Sequence, residues 1–539
     1  MATKPAAGSY RVFRNLVAAL CLCLAIAACA TPFPPELNEA EPEPVAAVLA
    51  DAYQQVSETY LYEAQVSKIA LAGLSSLSRV YDGLEVKPDG DTVSVAVAEE
   101  QIFRFNRPAE GDVDGWAAQV AAAMIAIANR PLASQVAATR LYNAHMEGIA
   151  EALGPDVAYL SDEVFWNWLR TLPTGVININ YRREDAGLRV LKLDRAGQLA
   201  AEGLRLNDII TEVDGAEVRT LQWFKLFQKL VGQKGTKTTL SLLRGDPPQP
   251  LSASVTYREP EQEALKHERD GSVAIFALPL LNERLSEAFW KAMRNDFREA
   301  KFAKKPLTAL LIDLRGTWGT DVDDAVGFAE NFLGAGVTLT ERGRSPSSEY
   351  VWRASLRNDS EGLPTIVLID GMSGPNAEVV AAGLQDNGRA IVIGSSTYGA
   401  GVRYKTVSLS AKGNYSRLGI LSMPATRLYA PSGYSFEGRG VLPDICIADG
   451  QRTVEGWLAA LRQGDGLSDL ADRTRHVDPD DEAALAAQRA LCPLEPDPLT
   501  FDPTTPPAQT DLAQRLALAI LNDPALYKRL LRPSPGLPH

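Results

Sequence analysis

Residues 307–320 read LTALLIDLRGTWGT, an unbroken apolar run followed by a glycine-containing turn. Further segments alternate after it: apolar residues at helical spacing over 322–333, TIVLI at 365–369, helical spacing again over 377–384, and IVI at 391–393. Continuous apolar runs are typical of strands covered on both faces, and their alternation with helices predicts βαβ crossovers. We therefore predict an α/β core over residues 270–450.

The segments on either side of this core have a different texture. Apolar residues recur at helical spacing over 45–77, and a short alternating pattern at Val93, Val95 and Val97 predicts one strand. An Ala-rich stretch over 116–153 is again helical in pattern with a break near Pro131, so we predict a mostly helical N-terminal domain over 45–170. Short β-branched runs with one helical stretch predict a β domain over 173–260. Helices near 454–461 and 511–531, joined by Pro- and Asp-rich linkers, predict a C-terminal helical extension over 451–539 that wraps the core or hangs free.

The first residues predict export. Lys4, Arg11 and Arg14 precede an uncharged apolar stretch over 16–28 that is too short to span a bilayer comfortably. The sequence IAAC at 26–29 resembles a bacterial lipobox, which predicts a signal peptide over 1–28 and lipidation of Cys29. The alternatives are a plain signal peptide cut nearby or a weak membrane anchor. A Pro- and Glu-rich tether over 29–44 favours the lipoprotein, and we expect a periplasm-facing lipoprotein held on a membrane of the bacterial cell envelope.

Composition limits the classes of partner and cofactor. The 539 residues carry a formal charge of -13 with no Lys/Arg-rich block, which argues against a nucleic-acid partner. The histidines are scattered and lack metal-ligand spacing, so we expect no metal and no cofactor; they are His145, His267, His476 and His539. Beyond Cys29, the mature chain would hold only Cys446 and Cys492, which in an oxidising compartment can pair or remain free.

Three runs within the β domain resemble a PDZ domain. They are TGVINI at 174–179, AAEGLRLNDII at 200–210 and VDG at 213–215. Asn207 stands where the family usually has Gly, and Asn also tolerates the left-handed conformation. The resemblance implies that a peptide adds as a strand and that N–H groups of Gly175, Val176 and Ile177 receive its terminal carboxylate. The alternative is a module that only packs on its neighbour as a lid.

Motifs in the core resemble those of the tail-specific (carboxy-terminal processing) serine peptidases. These motifs are IDLRGTWGT at 312–320, EVVAAGLQD at 378–386, YAPSG at 429–433, GVLPD at 440–444 and, more weakly, LGPDVAY at 153–159. The resemblance implies a multidomain α+β protein: a helical N-terminal domain, a PDZ-like β domain and an α/β peptidase core like that of ClpP and the crotonases. It also implies partners that are polypeptide or protein C-termini.

The same resemblance implies a Ser nucleophile at the start of a helix and a Lys base. The run SGPNAE at 373–378 places Pro375 at the nucleophile position, and TYGAG at 397–401 places Ala400 at the base position. Tyr404 matches the Gln that orients the Lys, and Gly319 matches the backbone N–H assigned to oxyanion binding. Both reactive groups are therefore missing from their expected positions.

These substitutions predict a catalytically degenerate pseudopeptidase that binds polypeptide ends or a protein partner. The alternative is an active serine endopeptidase that cleaves periplasmic proteins near their C-termini with a displaced nucleophile, Ser373 being the first candidate. Ser395 and Ser396 are other nearby hydroxyls, and Lys405 is the nearby amine, which a strand over 400–405 would point away from the face of Ala400. A third hypothesis is a structural envelope protein whose PDZ edge is blocked.

Overall fold

The computed structural model describes residues 42–130, 138–170, 172–194, 197–260, 264–319, 321–354, 359–410, 417–447, 452–493 and 511–534. The predicted signal peptide, Cys29, most of the predicted tether, the break near Pro131 and His539 lie outside these residues. Among the helices of the described ranges, none combines the length and the apolar character needed to cross a membrane.

The N-terminal part is a helical bundle with a small antiparallel sheet. Its elements are α1 (Pro42–Thr59), α2 (Val66–Ser75), a 3-10 turn (Ser76–Arg79), β1 (Leu84–Asp89), β2 (Thr92–Val97), β3 (Glu100–Asn106), α3 (Val113–Ala128) and α4 (Ala138–Leu153). Two features differ from the sequence predictions. Helix α1 begins at Pro42, inside the predicted tether, because proline is compatible with the first turn of a helix. The single predicted strand is β2, which has a partner on each side because tight turns near Gly90 and Ala98 reverse the chain.

A short strand and helix, β4 (Ala158–Leu160) and α5 (Asp162–Arg170), lead into the PDZ-like domain. Its elements are β5 (Gly175–Val176), β6 (Asn180–Glu184), β7 (Gly187–Lys192), α6 (Gln198–Ala201), β8 (Ile209–Val213), β9 (Ala216–Glu217), α7 (Trp223–Leu230), β10 (Val231–Gly232), β11 (Lys237–Arg244) and β12 (Gln249–Thr256). The main sheet has the order β12-β11-β8-β7-β6, so β6 lies at its edge. Asn207 adopts a left-handed φ of 65°, as its position in the PDZ-like turn requires.

The core is built on a six-stranded, mostly parallel sheet. Its elements are β13 (Lys266–Asp270), β14 (Val273–Ala277), α8 (Glu283–Ala303), β15 (Ala309–Asp313), α9 (Val322–Glu330), β16 (Val337–Arg342), a 3-10 turn (Pro346–Ser348), β17 (Tyr350–Arg353), β18 (Thr365–Ile369), α10 (Pro375–Asp386), β19 (Ile391–Gly394), β20 (Val402–Ser410), β21 (Arg417–Tyr429) and β22 (Ile445–Cys446). The sheet order is β13-β14-β15-β18-β19-β22, and only β13 runs antiparallel to its neighbour. The apolar runs at 307–312, 365–369 and 391–393 overlap β15, β18 and β19, which are buried on both faces.

Helix α10 lies between this sheet and a second, antiparallel sheet. The second sheet has the order β17-β16-β21-β20, with β4 also paired to β21. Residues Asn376 to Asp386 of α10 are all buried, and they share one hydrophobic core with strands of both sheets. The start of α10, where Pro375 stands, is therefore fixed from two sides.

The C-terminal helices cover the other face of the parallel sheet. They are α11 (Val454–Gln463), α12 (Leu470–Thr474), α13 (Glu482–Ala490), α14 (Leu512–Leu521) and α15 (Pro524–Leu530). Apolar residues of α11, α14 and α15 form a core with the inward side chains of β14, β15, β18 and β19. The extension thus wraps the core. The predicted terminal helix over 511–531 is two helices, because Pro524 cannot continue α14 and starts α15 instead.

Cys446 and Cys492 form a disulfide, with 5.8 Å between their Cα atoms. The bond links the end of β22 to the residues just after α13. The sequence left this pairing open, and the fold brings the two thiols together across the separation of 46 residues.

Arg315 joins the core to the C-terminal extension. Its guanidinium donates to both carboxylate oxygens of Asp313, at 2.9 and 2.6 Å, and to both of Asp511, at 3.0 and 2.6 Å. Asp511 also caps α14 by accepting from the backbone N–H of Gln514. The Arg315 side chain is only 5% exposed, so Arg315, Asp313 and Asp511 form a buried ion triad in which one guanidinium binds two carboxylates.

We predict that Arg315→Ala lowers the free energy of unfolding by about 3 kcal/mol or more, because it leaves two largely buried carboxylates without their cation. Urea unfolding followed by circular dichroism measures this change. The matched control is Arg219→Ala, which removes a 57% exposed arginine from a surface pair with Glu217 and should cost less than about 1 kcal/mol. Equal losses in the two variants would contradict the role of Arg315.

Candidate functional site

Pro375 is the first residue of α10, and Gly374 precedes it as the N-cap. The backbone of this corner is fixed by the Gly374 N–H, which donates to Thr317 O at 2.9 Å, and by the Glu378 N–H, which donates to Gly374 O at 3.0 Å. Proline is compatible with this position because an N–H here would lack an intrahelical acceptor. Its ring carries no hydroxyl, so the helix start offers no nucleophile.

Ser373, the first candidate for a displaced nucleophile, is completely buried. Its Oγ lies 2.8 Å from Leu314 O and 3.1 Å from Asp370 Oδ1, and it accepts from the Asp370 N–H at 3.0 Å. The single hydroxyl proton has both acceptors within reach, and one lone pair accepts from the Asp370 N–H. Ser373 therefore holds the loop between β18 and α10 together and does not face the cleft as a free hydroxyl.

Ala400 lies in the loop before β20, because that strand begins at Val402 rather than at 400 as predicted. A register shift between Arg403 and Tyr404 also breaks the simple alternation of faces along this strand. The predicted direction of Lys405 relative to Ala400 depended on that alternation. Tyr404 is 45% exposed and Lys405 is exposed. The Ala400 methyl group supplies no base, and Lys405 lies on β20, five residues further along the chain.

The remaining candidate hydroxyls, Ser395 and Ser396, are buried after β19. Ser395 Oγ has no hydrogen-bond partner among the described residues. Within the described part of the chain, neither hydroxyl is hydrogen-bonded to a basic side chain, and an alcohol without a base is a weak nucleophile. Neither serine therefore replaces the missing pair.

Glu378 is the central polar residue of this site, and the sequence motifs predicted no role for it. Its carboxylate is fully buried and accepts from Thr397 Oγ1 at 2.7 Å, from the Gly399 N–H, and from the Ala400 N–H at 3.1 Å. It thereby holds the loop that contains Ala400 against the first turn of α10. Burial raises the pKa of Glu378 to about 7, while the hydrogen bonds from the loop act in the opposite direction. The sequence feature that could have pointed to Glu378 is its position at the start of the EVVAAGLQD motif, three residues after Pro375.

Gly319 lies beside the start of α10, where the oxyanion site was predicted. A side chain there would clash, since a Cβ atom would come within 2.5 Å of both Leu281 O and Asn376 Nδ2. Asn376 Nδ2 donates to Leu281 O at 2.9 Å, and the Leu281 N–H donates to Trp318 O at 2.8 Å. The turn is thus held in place by groups that do not depend on a catalytic Ser or Lys.

Aromatic side chains fill the space next to Pro375. The ring of Trp318 lies against Gly374, where a Cβ atom would approach it to 2.4 Å, and it meets the edge of Tyr398 at a centroid distance of 5.1 Å. From the PDZ-like domain, the guanidinium of Arg182 on β6 lies 5.0 Å from the centre of the Tyr398 ring, and its Nη2 donates to Gly371 O at 3.4 Å. The PDZ-like domain therefore contacts the cleft directly.

The predicted carboxylate-binding loop of the PDZ-like domain is engaged in internal bonds. The Val176 N–H donates to Arg258 O at 2.7 Å, and the Ile177 N–H donates to Leu230 O at 2.9 Å. Gly175 packs tightly, since a Cβ atom there would lie 3.0 Å from Lys234 Cα and from Tyr257 Cβ. A peptide carboxylate would have to displace both carbonyls to reach these two donors, whereas no strand of the described residues pairs with the outer edge of β6.

Comparisons with known proteins agree with this architecture. Residues 283–447 match the peptidase family S41. The carboxy-terminal-processing protease of Bartonella bacilliformis is 26% identical over 273 residues, which cover 51% of this chain and 61% of that protein. A probable CtpA-like serine protease of Staphylococcus aureus is 22% identical over 248 residues, which cover 46% of this chain and 47% of that protein. The chain thus spans about half to three fifths of the length of these curated relatives.

Among solved structures, the photosystem II D1 C-terminal processing protease is similar in fold. The TM-score is 0.51 at 16% sequence identity, and the match covers 76% of this chain and 95% of that chain. This likeness concerns the fold alone. It agrees with the predicted multidomain arrangement of helices, a PDZ-like β domain and an α/β core.

We predict that Glu378 makes the protein less stable as the pH rises. Because its pKa rises from an ordinary 4.5 to about 7 on folding, the folded chain holds this proton more tightly than the unfolded chain. Its stabilising contribution is complete below about pH 4.5 and is lost by about pH 7, a change on the order of 3 kcal/mol. Urea unfolding at pH 5 and at pH 8 should show that the wild type loses stability relative to Glu378→Gln, which does not titrate.

The control is Glu259→Gln, which removes an exposed carboxylate paired with Lys234. This variant should keep a constant difference from the wild type at both pH values. If Glu378→Gln also kept a constant difference, the raised pKa of Glu378 would be refuted.

Proposed function

We propose that this chain, which matches peptidase family S41 over residues 283–447 and is similar to carboxy-terminal-processing proteases, binds polypeptides without cleaving them. The observation that carries the proposal is the pair of residues at the reactive positions, Pro375 and Ala400. Acyl transfer by this kind of site needs a hydroxyl at the helix start and a neutral amine as base. Loss of such a unit typically removes on the order of a million-fold in rate.

The buried contacts of the cleft support a loss of chemistry rather than its relocation. Ser373 Oγ lies within hydrogen-bond distance of Leu314 O and Asp370 Oδ1 and accepts from the Asp370 N–H. Moving its hydroxyl to the position of Pro375 would break those bonds inside a close-packed core. A displaced-nucleophile peptidase is therefore the weaker hypothesis.

The proposed ligands are polypeptide C-termini or a protein partner. The edge strand β6 offers backbone groups for an added strand, and its Arg182 reaches the cleft beside Tyr398. Gly319 and its neighbours keep a shaped turn that would receive a carbonyl without attacking it. Because the Val176 and Ile177 N–H groups are bonded internally, capture of a terminal carboxylate would require this loop to open.

The proposed location is a membrane surface of the bacterial envelope. The predicted lipobox ends at Cys29, and the first described helix begins at Pro42, so a short segment would separate a lipid anchor from the folded body. An anchored binder of polypeptide ends would meet its ligands in the same compartment.

We predict that the chain from residue 30 onward does not cleave an unfolded protein substrate, because Pro375 and Ala400 supply neither nucleophile nor base. The assay follows the substrate by gel electrophoresis and mass spectrometry, with the Bartonella relative as the positive control. The same protein should bind peptides in fluorescence anisotropy, and a matched pair of peptides with free and amidated C-termini reports whether the carboxylate is read.

Ser373→Ala is the decisive variant for catalysis. Cleavage by the wild type that disappears in Ser373→Ala would establish a displaced nucleophile and overturn the proposal. Absence of both cleavage and peptide binding would leave the loss of catalysis intact but contradict the binding role.

We predict that Cys29 carries the lipid. Metabolic labelling of expressing bacteria with a radioactive fatty acid should label the wild type and not Cys29→Ala, because the thiol is the acceptor. Cys23→Ala, which removes a cysteine within the predicted signal peptide, is the matched control and should be labelled normally. Equal labelling of Cys29→Ala would contradict the lipoprotein assignment.

A further inference from the structure

Helix α8 gathers positive charge on its outer face. Its inward side is buried through apolar residues such as Phe289, Met293 and Ala300. The opposite side carries exposed cations at steps of three and four residues, the spacing of one helix face: Lys291, Arg294, Arg298 and Lys301. Along the sequence these residues are separated by apolar and acidic ones, and only the helix brings them into a stripe.

The stripe continues past the end of the helix. Lys304 is the C-cap residue in the left-handed conformation, and Lys305 follows it, both exposed. None of these six cations forms a salt bridge with a carboxylate of the described residues. On a chain with a formal charge of -13, such an unpaired group of cations is a local reversal of the overall charge.

Phe302 stands within this basic patch and is 81% exposed. An open pocket of about 530 Å³ lies at the same end of the helix. Its lining combines apolar side chains with three of the cations and one acid: Phe297, Ala300, Pro306, Leu307, Leu363, Arg298, Lys301, Lys304 and Glu361. The end of α8 is therefore amphipathic. The exposed aromatic ring of Phe302 and a partly apolar pocket lie beside its cations.

Stabilisation of the helix by its own dipole does not account for this arrangement. That effect is confined to the last turn of a helix, whereas Lys291 and Arg294 lie more than two turns before the end. It also gives no reason for an exposed phenylalanine, which water disfavours.

We propose that this basic patch, Lys291 to Lys305 with Phe302 and the adjoining pocket, docks on the anionic phospholipid surface of a membrane. Cations near such a surface are attracted to phosphate headgroups, and an aromatic ring inserts at the headgroup level. A nucleic acid is a weaker candidate, because the chain as a whole carries a formal charge of -13. The inference does not rest on the absence of catalysis or on lipidation of Cys29.

The test uses the chain from residue 30 onward, which keeps every described residue and lacks the predicted lipid anchor. Co-sedimentation with vesicles of phosphatidylglycerol and phosphatidylcholine should show binding that weakens as salt is added, and vesicles of phosphatidylcholine alone should bind far less. The triple variant Arg298→Ala, Lys301→Ala, Lys304→Ala should lower the partition coefficient roughly 100-fold, at about fivefold for each cation near the surface.

The matched control removes three exposed lysines from other surfaces, Lys68→Ala, Lys237→Ala and Lys528→Ala, with the same change of net charge. It should bind as the wild type does. Phe302→Ser should also weaken binding while leaving the urea midpoint unchanged, because the ring makes little contact with the fold. The proposal is overturned if the wild type does not bind anionic vesicles, if the two triple variants lose binding equally, or if Phe302→Ser binds normally.

Discussion

Burial of α10 on every side is the constraint on which the core depends. The polar groups of a helix enclosed between two sheets depend on partners within the protein, because burial removes them from water. Glu378 meets this requirement by accepting from the Thr397 hydroxyl and from the N–H groups of Gly399 and Ala400. The bonds that close the helix therefore also hold the loop on which a catalytic base would stand.

This coupling fixes the backbone of the site without a serine or a lysine at the positions of Pro375 and Ala400. Pro375 satisfies the first turn of α10 at least as well as a serine, and the turn at Gly319 is fixed by Asn376 and Leu281. Neither group takes part in acyl transfer. Fold stability and acyl transfer therefore depend on different atoms of such a site. Acyl transfer can be lost while the fold remains.

Sequence patterns anticipated the parts of the fold that depend on periodicity. The apolar runs became β15, β18 and β19 because strands buried on both faces tolerate no polar alternation. The sequence patterns did not predict β1 and β3, each of which pairs with β2 across a tight turn. They also placed the start of β20 two residues early. The family motifs predicted reactive positions at Pro375, Ala400 and Gly319, and these stay predictions. The motifs did not predict the role of Glu378, because a buried carboxylate is recognised only by what surrounds it.

The sequence by itself determined which chemistry is absent from the reactive positions, since an imino acid and a methyl group carry no nucleophile or base in any conformation. Tertiary structure alone decided the rest: that Ser373 is locked in the β18–α10 loop, that Cys446 meets Cys492, that Arg315 reaches Asp511, and that scattered cations align on α8. Residue type fixes what a side chain is able to do. Hydrogen bonding, pairing and charge density depend on distances that only the folded chain sets.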